Sequence, residues 1–98
     1  MSPQKEVTQE KLEKYFSVTR AALDKIRFSS PEKTHLRRSA EDFLDMARRY
    51  FTDAEHFRDK GDFVTAFAAL NYAHGWLDAG ARLGLFDVGH DSHLFTVD

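Results

Sequence analysis

Cysteine is absent from the 98 residues, which excludes disulfide stapling, thiolate metal ligation and a cysteine nucleophile. That usage fits a reducing cytoplasm. With two prolines and five glycines, the chain is neither collagen-like nor a linker array, and at 42% hydrophobic it has the apolar content of a folded domain. No excess of one charge announces a nucleic-acid binder, because 14 Lys and Arg face 16 Asp and Glu for a net charge of −2. Long hydrophobic runs are missing too. The longest stretch free of Asp, Glu, Lys and Arg is Phe63 to Leu77. It falls short of the roughly 20 residues needed to cross a bilayer and contains Thr65, Asn71 and His74. Met1 to Val7 has no apolar core of the signal-peptide kind. No Gly-rich phosphate loop, HExxH or serine-elbow motif occurs. These absences describe a single soluble domain over residues 1–98, cytoplasmic, with no membrane association and no cofactor.

What is present is helical periodicity. Leu12, Tyr15, Phe16, Thr19, Ala22, Leu23 and Ile26 step by three and four, predicting a helix over about 9–27 with Thr8 as its N-cap. A second stripe from Leu36 through Ala40, Phe43, Leu44, Ala47, Tyr50, Phe51 and Ala54 to Phe57 predicts a long helix over 31–60, with Pro31 in its first turn and Ser30 as cap. Lys60-Gly61-Asp62 then predicts a tight bend, Gly61 taking a left-handed conformation and Asp62 capping the next helix. The third helix is expected over 63–83. It bears one stripe of Phe63, Ala66, Phe67, Leu70, Ala73, Leu77 and Ala81, and another of Tyr72, Trp76, Ala79 and Leu83. A helix apolar around so much of its circumference lies centrally or meets two partners. The expected fold is an all-α, three-helix antiparallel bundle with a long second helix, a central third helix and a partly ordered tail over 84–98. In that tail, Leu85, Phe86 and Val88 are expected to pack near Leu36 and the end of the first helix.

Three constellations are candidates for chemistry. Asn71, His74, Asp78 and Arg82 lie within three- and four-residue steps on one helix. A carboxylate orienting an imidazole is an acid–base arrangement, but a polar seam that satisfies itself while setting the bundle's register explains the same residues. Tyr72 and Trp76 adjoin this seam and, if exposed, mark a binding surface. Arg49 and His56, separated by six residues, match the loose Arg-x6-His pattern of HEPN ribonucleases, whose side chains meet across a dimer at RNA; a solvated helix face is the competing explanation. His90-Asp-Ser-His93, with Asp87 upstream, offers metal-ligand atom types, yet no further ligands cluster with it, so no metal site is assigned. His35 has no convincing partner. Charge is uneven: residues 1–39 carry nine Lys and Arg against five Asp and Glu, a net +4, while residues 40–98 carry five against eleven, a net −6. Lys25, Arg27, Lys33, Arg37 and Arg38 gather around the first inter-helix turn, where they can meet an RNA backbone or complement the acidic half within or between subunits.

The stretch from Ala40 to Val88 resembles an archaeal family, domain of unknown function 357. The likeness rests on the long, specific run Ala54-Glu-His-Phe-Arg-Asp-Lys-Gly-Asp-Phe-Val-Thr-Ala-Phe-Ala-Ala-Leu-Asn-Tyr-Ala-His-Gly-Trp-Leu-Asp-Ala-Gly-Ala-Arg-Leu-Gly-Leu-Phe-Asp-Val88, the first helix and the tail past Gly89 matching less distinctively. The resemblance implies a small helical bundle and no assigned activity, so it transfers no catalytic residues. Gly61 to Ala73 is also similar to the turn and second helix of a tetratricopeptide unit, a likeness of hairpin packing only, since a solenoid needs several copies. The leading expectation is a non-enzymatic interaction module that self-associates through the third helix, whose Tyr72 and Trp76 face supplies the contact surface while Asn71, His74, Asp78 and Arg82 supply the polar register. The alternative is an RNA-binding or HEPN-like RNA-processing protein using Arg49 and His56 or the basic turn.

Overall fold

In the computed structural model, which describes residues 6–29, 31–89 and 94–95, three helices carry the fold. Helix α1 spans Gln9–Lys25, α2 His35–Asp59 and α3 Phe63–Arg82. Two short strands, β1 at Arg27–Phe28 and β2 at Phe86–Asp87, pair antiparallel with Phe28 opposite Phe86. The bundle is all-α in its core and runs up, down and up, so that α1 and α3 lie parallel and α2 runs against both.

Local chemistry sets the helix ends. Thr8 caps α1, its hydroxyl accepting from the Lys11 amide at 3.1 Å. The end of α1 comes at Lys25, two residues before the periodicity suggests, because Ile26 turns extended and releases Arg27 and Phe28 to pair with β2. The start of α2 corrects the expected helix over 31–60. Lys33 has φ of 62°, which a right-handed helix cannot pass through, so the helix begins only at His35. Thr34 is its cap, accepting from the Arg37 amide at 3.1 Å and donating to the Pro31 carbonyl at 2.7 Å. Ser30, the expected cap, lies outside the described residues.

The bend between α2 and α3 forms as expected. Gly61 sits at φ 81°, its amide donating to Arg58 O, while the Asp62 amide donates to Phe57 O at 2.9 Å. This is a Schellman closure, and the Asp62 carboxylate then caps α3 through the Thr65 amide. The same device ends α3: Gly84 has φ of 78°, and the Leu85 amide donates to Gly80 O at 2.9 Å. It turns the chain so that Leu85 enters the core and β2 reaches β1. Ser29 fastens the junction by donating its hydroxyl to Gly84 O at 2.5 Å.

The core has two halves. Leu12, Phe16, Phe51, Ala54, Ala66 and Leu70 fill the end near the Lys60–Asp62 bend. Ala22, Leu44, Leu77, Leu85, Phe86, Val88 and Phe95 fill the other. The tail therefore docks against the end of α1 as expected, but not against Leu36, which is 61% exposed. Strand pairing pulls the tail toward Phe28 and Ala22 instead. Helix α3 packs on both other helices. Between α1 and α2, rings and cations make the contact: Phe16 meets Phe51 edge to face, Arg20 lies over Phe51 and Arg58 over Phe16. The molecule is consequently flattened, 45 × 29 × 17 Å, with α3 in the middle of the layer. No helix among the described residues is long and apolar enough to cross a membrane.

Candidate functional site

Helix α3 carries the candidate residues on adjoining faces. On the face toward α1, His74 is engaged at both ring nitrogens. Its Nε2 lies 2.6 Å from the Leu94 carbonyl, which can only accept, so Nε2 carries the hydrogen and donates. Its Nδ1 is then left to accept from the Thr19 hydroxyl, at 3.4 Å. Asp78 follows one turn on, with Oδ1 3.8 Å from His74 Nε2. Next to this histidine the Phe95 ring is buried among Ala22, Leu77 and Phe86. The imidazole thus ties three pieces of chain together: α1, α3 and the tail. The anticipated His74–Asp78 neighbourhood exists, but its strongest link runs to a backbone carbonyl twenty residues away. Arg82 is exposed at the end of α3, and among the described residues Asp78 pairs with His74 rather than with Arg82.

On the outer face of α3 the pattern changes. Val64, Ala68, Tyr72, Gly75, Ala79 and Leu83 recur at steps of three and four and are all exposed. Val64, Tyr72 and Leu83 are 66%, 63% and 68% accessible, high values for large apolar side chains. Asn71 is exposed on the same face and bears no charge. From Val64 to Ala79 the face is uncharged throughout. Tyr72 stacks on Tyr50 of α2, ring centroids 5.2 Å apart at 20°, and Trp76 is half-buried edge-on against Phe43. Between Tyr72 and Trp76, over the bare backbone of Gly75 and the methyl of Ala79, lies a shallow slot of about 280 Å³. A second groove of about 270 Å³ opens on the α1 side, bordered by Tyr15, Thr19, Asn71 and His74.

The two glycines of α3 differ. A methyl at Gly80 would fall inside the Phe86 ring, so the tail requires that glycine. A methyl at Gly75 would meet nothing within 4 Å. Among the described residues, no close contact accounts for a mid-helix glycine there.

The remaining candidates are dispersed. Arg49 and His56 lie on the exposed side of α2, where Arg49 Nε is held 3.0 Å from Asp45 and the His56 ring abuts Phe57. Residues of the basic turn are interleaved with acids. Arg37 lies over the Phe28 ring and reaches Glu41 at 3.5 Å, Arg27 is paired across the strands with Asp87, and Asp24 borders the same cleft as Lys25. Of His90 to His93 nothing is described. Among the described residues, no three His, Asp or Glu side chains are placed to share a metal ion.

Sequence reasoning missed Thr19 and Leu94 as partners of His74. A threonine inside an otherwise apolar stripe is the signal that pointed to the first, since a buried hydroxyl needs an acceptor or donor. No pattern points to the second, a main-chain carbonyl. Comparison with known proteins gives one positive finding. A family model described as a protein of unknown function (DUF357) matches residues 14–86, from the second turn of α1 to the first residue of β2. No curated protein and no solved structure matches the chain.

Proposed function

The chain belongs to the DUF357 family of proteins of unknown function, and from that premise we propose that it is a non-enzymatic helical interaction module that self-associates through the outer face of α3. One observation carries this reading: the exposed face of α3, uncharged from Val64 to Ala79 and continued by Leu83 beside Arg82. Of the five exposed large apolar side chains among the described residues, Val64, Tyr72 and Leu83 share this face, and leaving each mostly in water forgoes about 1–2 kcal/mol. A contiguous apolar face of this kind marks a contact surface. His74 argues for the non-enzymatic part, because both ring nitrogens are committed to holding α1 and the tail. The cysteine-free composition and the likeness to an archaeal family support a cytoplasmic setting in such an organism.

The RNA-handling alternative has less support. Arg49 is engaged by Asp45, and in the basic turn Arg37 reaches Glu41, with Asp87 opposite Arg27 in the strand register and Asp24 bordering the same cleft as Lys25. Sedimentation equilibrium tests the proposal. The wild-type chain is expected to be dimeric at high micromolar concentration, and Tyr72→Glu and Leu83→Glu, both at exposed positions, are expected to be monomeric with unchanged helicity. A wild-type chain that stays monomeric throughout refutes it.

A further inference from the structure

The outer face of α3 has a size pattern that selects one way for two copies to meet. Consider a two-fold axis crossing α3 at the level between Ala73 and His74. Antiparallel pairing about it sets Tyr72 opposite the partner's Gly75, Ala68 opposite the partner's Ala79, and Val64 opposite the partner's Leu83. Each exposed apolar residue of the face is used, over about 28 Å at the 1.5 Å rise of a helix. The central layer matches the largest side chain with the smallest. The next brings two alanines together, where backbones can approach closely, and the outermost joins two aliphatic residues where crossing helices diverge. Parallel pairing in register does the reverse: Tyr72 meets Tyr72 and Gly75 meets Gly75, a clash beside a void.

Three further features agree. The slot over Gly75 and Ala79, about 280 Å³ in volume, is an open apolar recess at the place where the partner's Tyr72 ring arrives. No contact among the described residues requires a glycine at position 75, whereas this pairing needs its missing side chain. Antiparallel pairing also opposes the two helix dipoles, the favourable mutual orientation. The α3 seam alone covers about 300 Å² per protomer, taking the 10 Å width of a helix, which is below the roughly 800 Å² of a standard interface. Tyr15 and Tyr50 flank the seam on α1 and α2, and the two-fold lays each of those helices over its own copy, widening the contact. The pairing is therefore of moderate strength and depends on concentration.

We infer that two copies of this chain dock antiparallel through α3, each inserting Tyr72 into the slot over the partner's Gly75. This rests on the self-association reading and adds orientation and register to it. The absence of cysteine makes the test direct, because any introduced thiol is unique. Full-length Ala68→Cys and Ala79→Cys proteins are prepared separately, then treated with a short bis-maleimide linker alone and as a mixture, with circular dichroism confirming helicity. The expected result is a cross-linked pair in the mixture at least tenfold more abundant than in either protein alone. In a second variant, Gly75→Leu fills the slot at a position with open space in the protomer, and it is expected to weaken dimerisation at least tenfold while helicity is kept. A dimer by sedimentation in which Ala68→Cys links to itself, or in which neither arrangement links, overturns the pairing and leaves self-association standing. A monomer with no links overturns both.

Discussion

Gly75 and Gly80 lie five residues apart in one helix, and the same substitution at each should shift stability in opposite directions. Replacing a mid-helix glycine by alanine removes backbone freedom from the unfolded chain and favours the helix by about 0.5–1 kcal/mol. At Gly75 nothing opposes this gain, since an added Cβ has no neighbour within 4 Å. Gly75→Ala should therefore stabilise the protomer by about 0.5–1 kcal/mol, raising Tm by about 3–6 °C for a domain of this size. At Gly80 the added methyl lands in the Phe86 ring, whose third-nearest atom is still only 3.1 Å away. The ring cannot swing aside freely, being buried, strand-paired through its backbone to Phe28 and packed among Leu77, Leu85 and Phe95. Overpacking of this kind costs about 1–3 kcal/mol, which exceeds the helix gain. Gly80→Ala should be about 1–2 kcal/mol less stable than wild type, so the two variants should differ by about 2–3 kcal/mol. Urea denaturation at low micromolar concentration, where dimerisation contributes little, measures both. A Gly80→Ala protein more stable than wild type would refute the seating of Phe86 against α3. A destabilised Gly75→Ala would show that the space beside Gly75 is filled within the protomer.

Two other outcomes follow from the tail and from α2. Phe95→Ala should lose about 3 kcal/mol, as a buried aromatic does, and His74→Ala about 1–3 kcal/mol through its two hydrogen bonds. Because both hold the same stretch of tail, the double variant should lose clearly less than the sum in denaturant titrations, and strict additivity would separate His74 from tail docking. With Arg49 held by Asp45, wild-type protein and His56→Ala should show equally weak RNA binding at 150 mM salt and no cleavage, and tight, salt-sensitive binding lost on His56→Ala would instead support the RNA reading.

Periodicity and end signals are local properties, and the features that depend on them were legible from residue order. Three helices, the Gly61–Asp62 bend and the second apolar stripe of α3 all follow from repeats of three and four residues and from side chains that reach their own backbone. One local feature carries no sequence signal: nothing about lysine marks the left-handed conformation of Lys33, so α2 starts four residues later than Pro31 indicates. At the candidate site, the neighbourhood of His74 and Asp78 was readable because both sit on one helix.

The partners that give His74 its role were not readable, since Thr19 and the Leu94 carbonyl approach from 55 and 20 residues away. The same distance in sequence hid the pairing of Phe28 with Phe86 and the reason for Gly80. Residue order decided where helices form and which of their faces are greasy, because those are set by neighbours within one turn. Folding in three dimensions decided which faces are covered: α2, α1 and the tail claim three sides of α3, and the side that Val64, Tyr72 and Leu83 share is left to water.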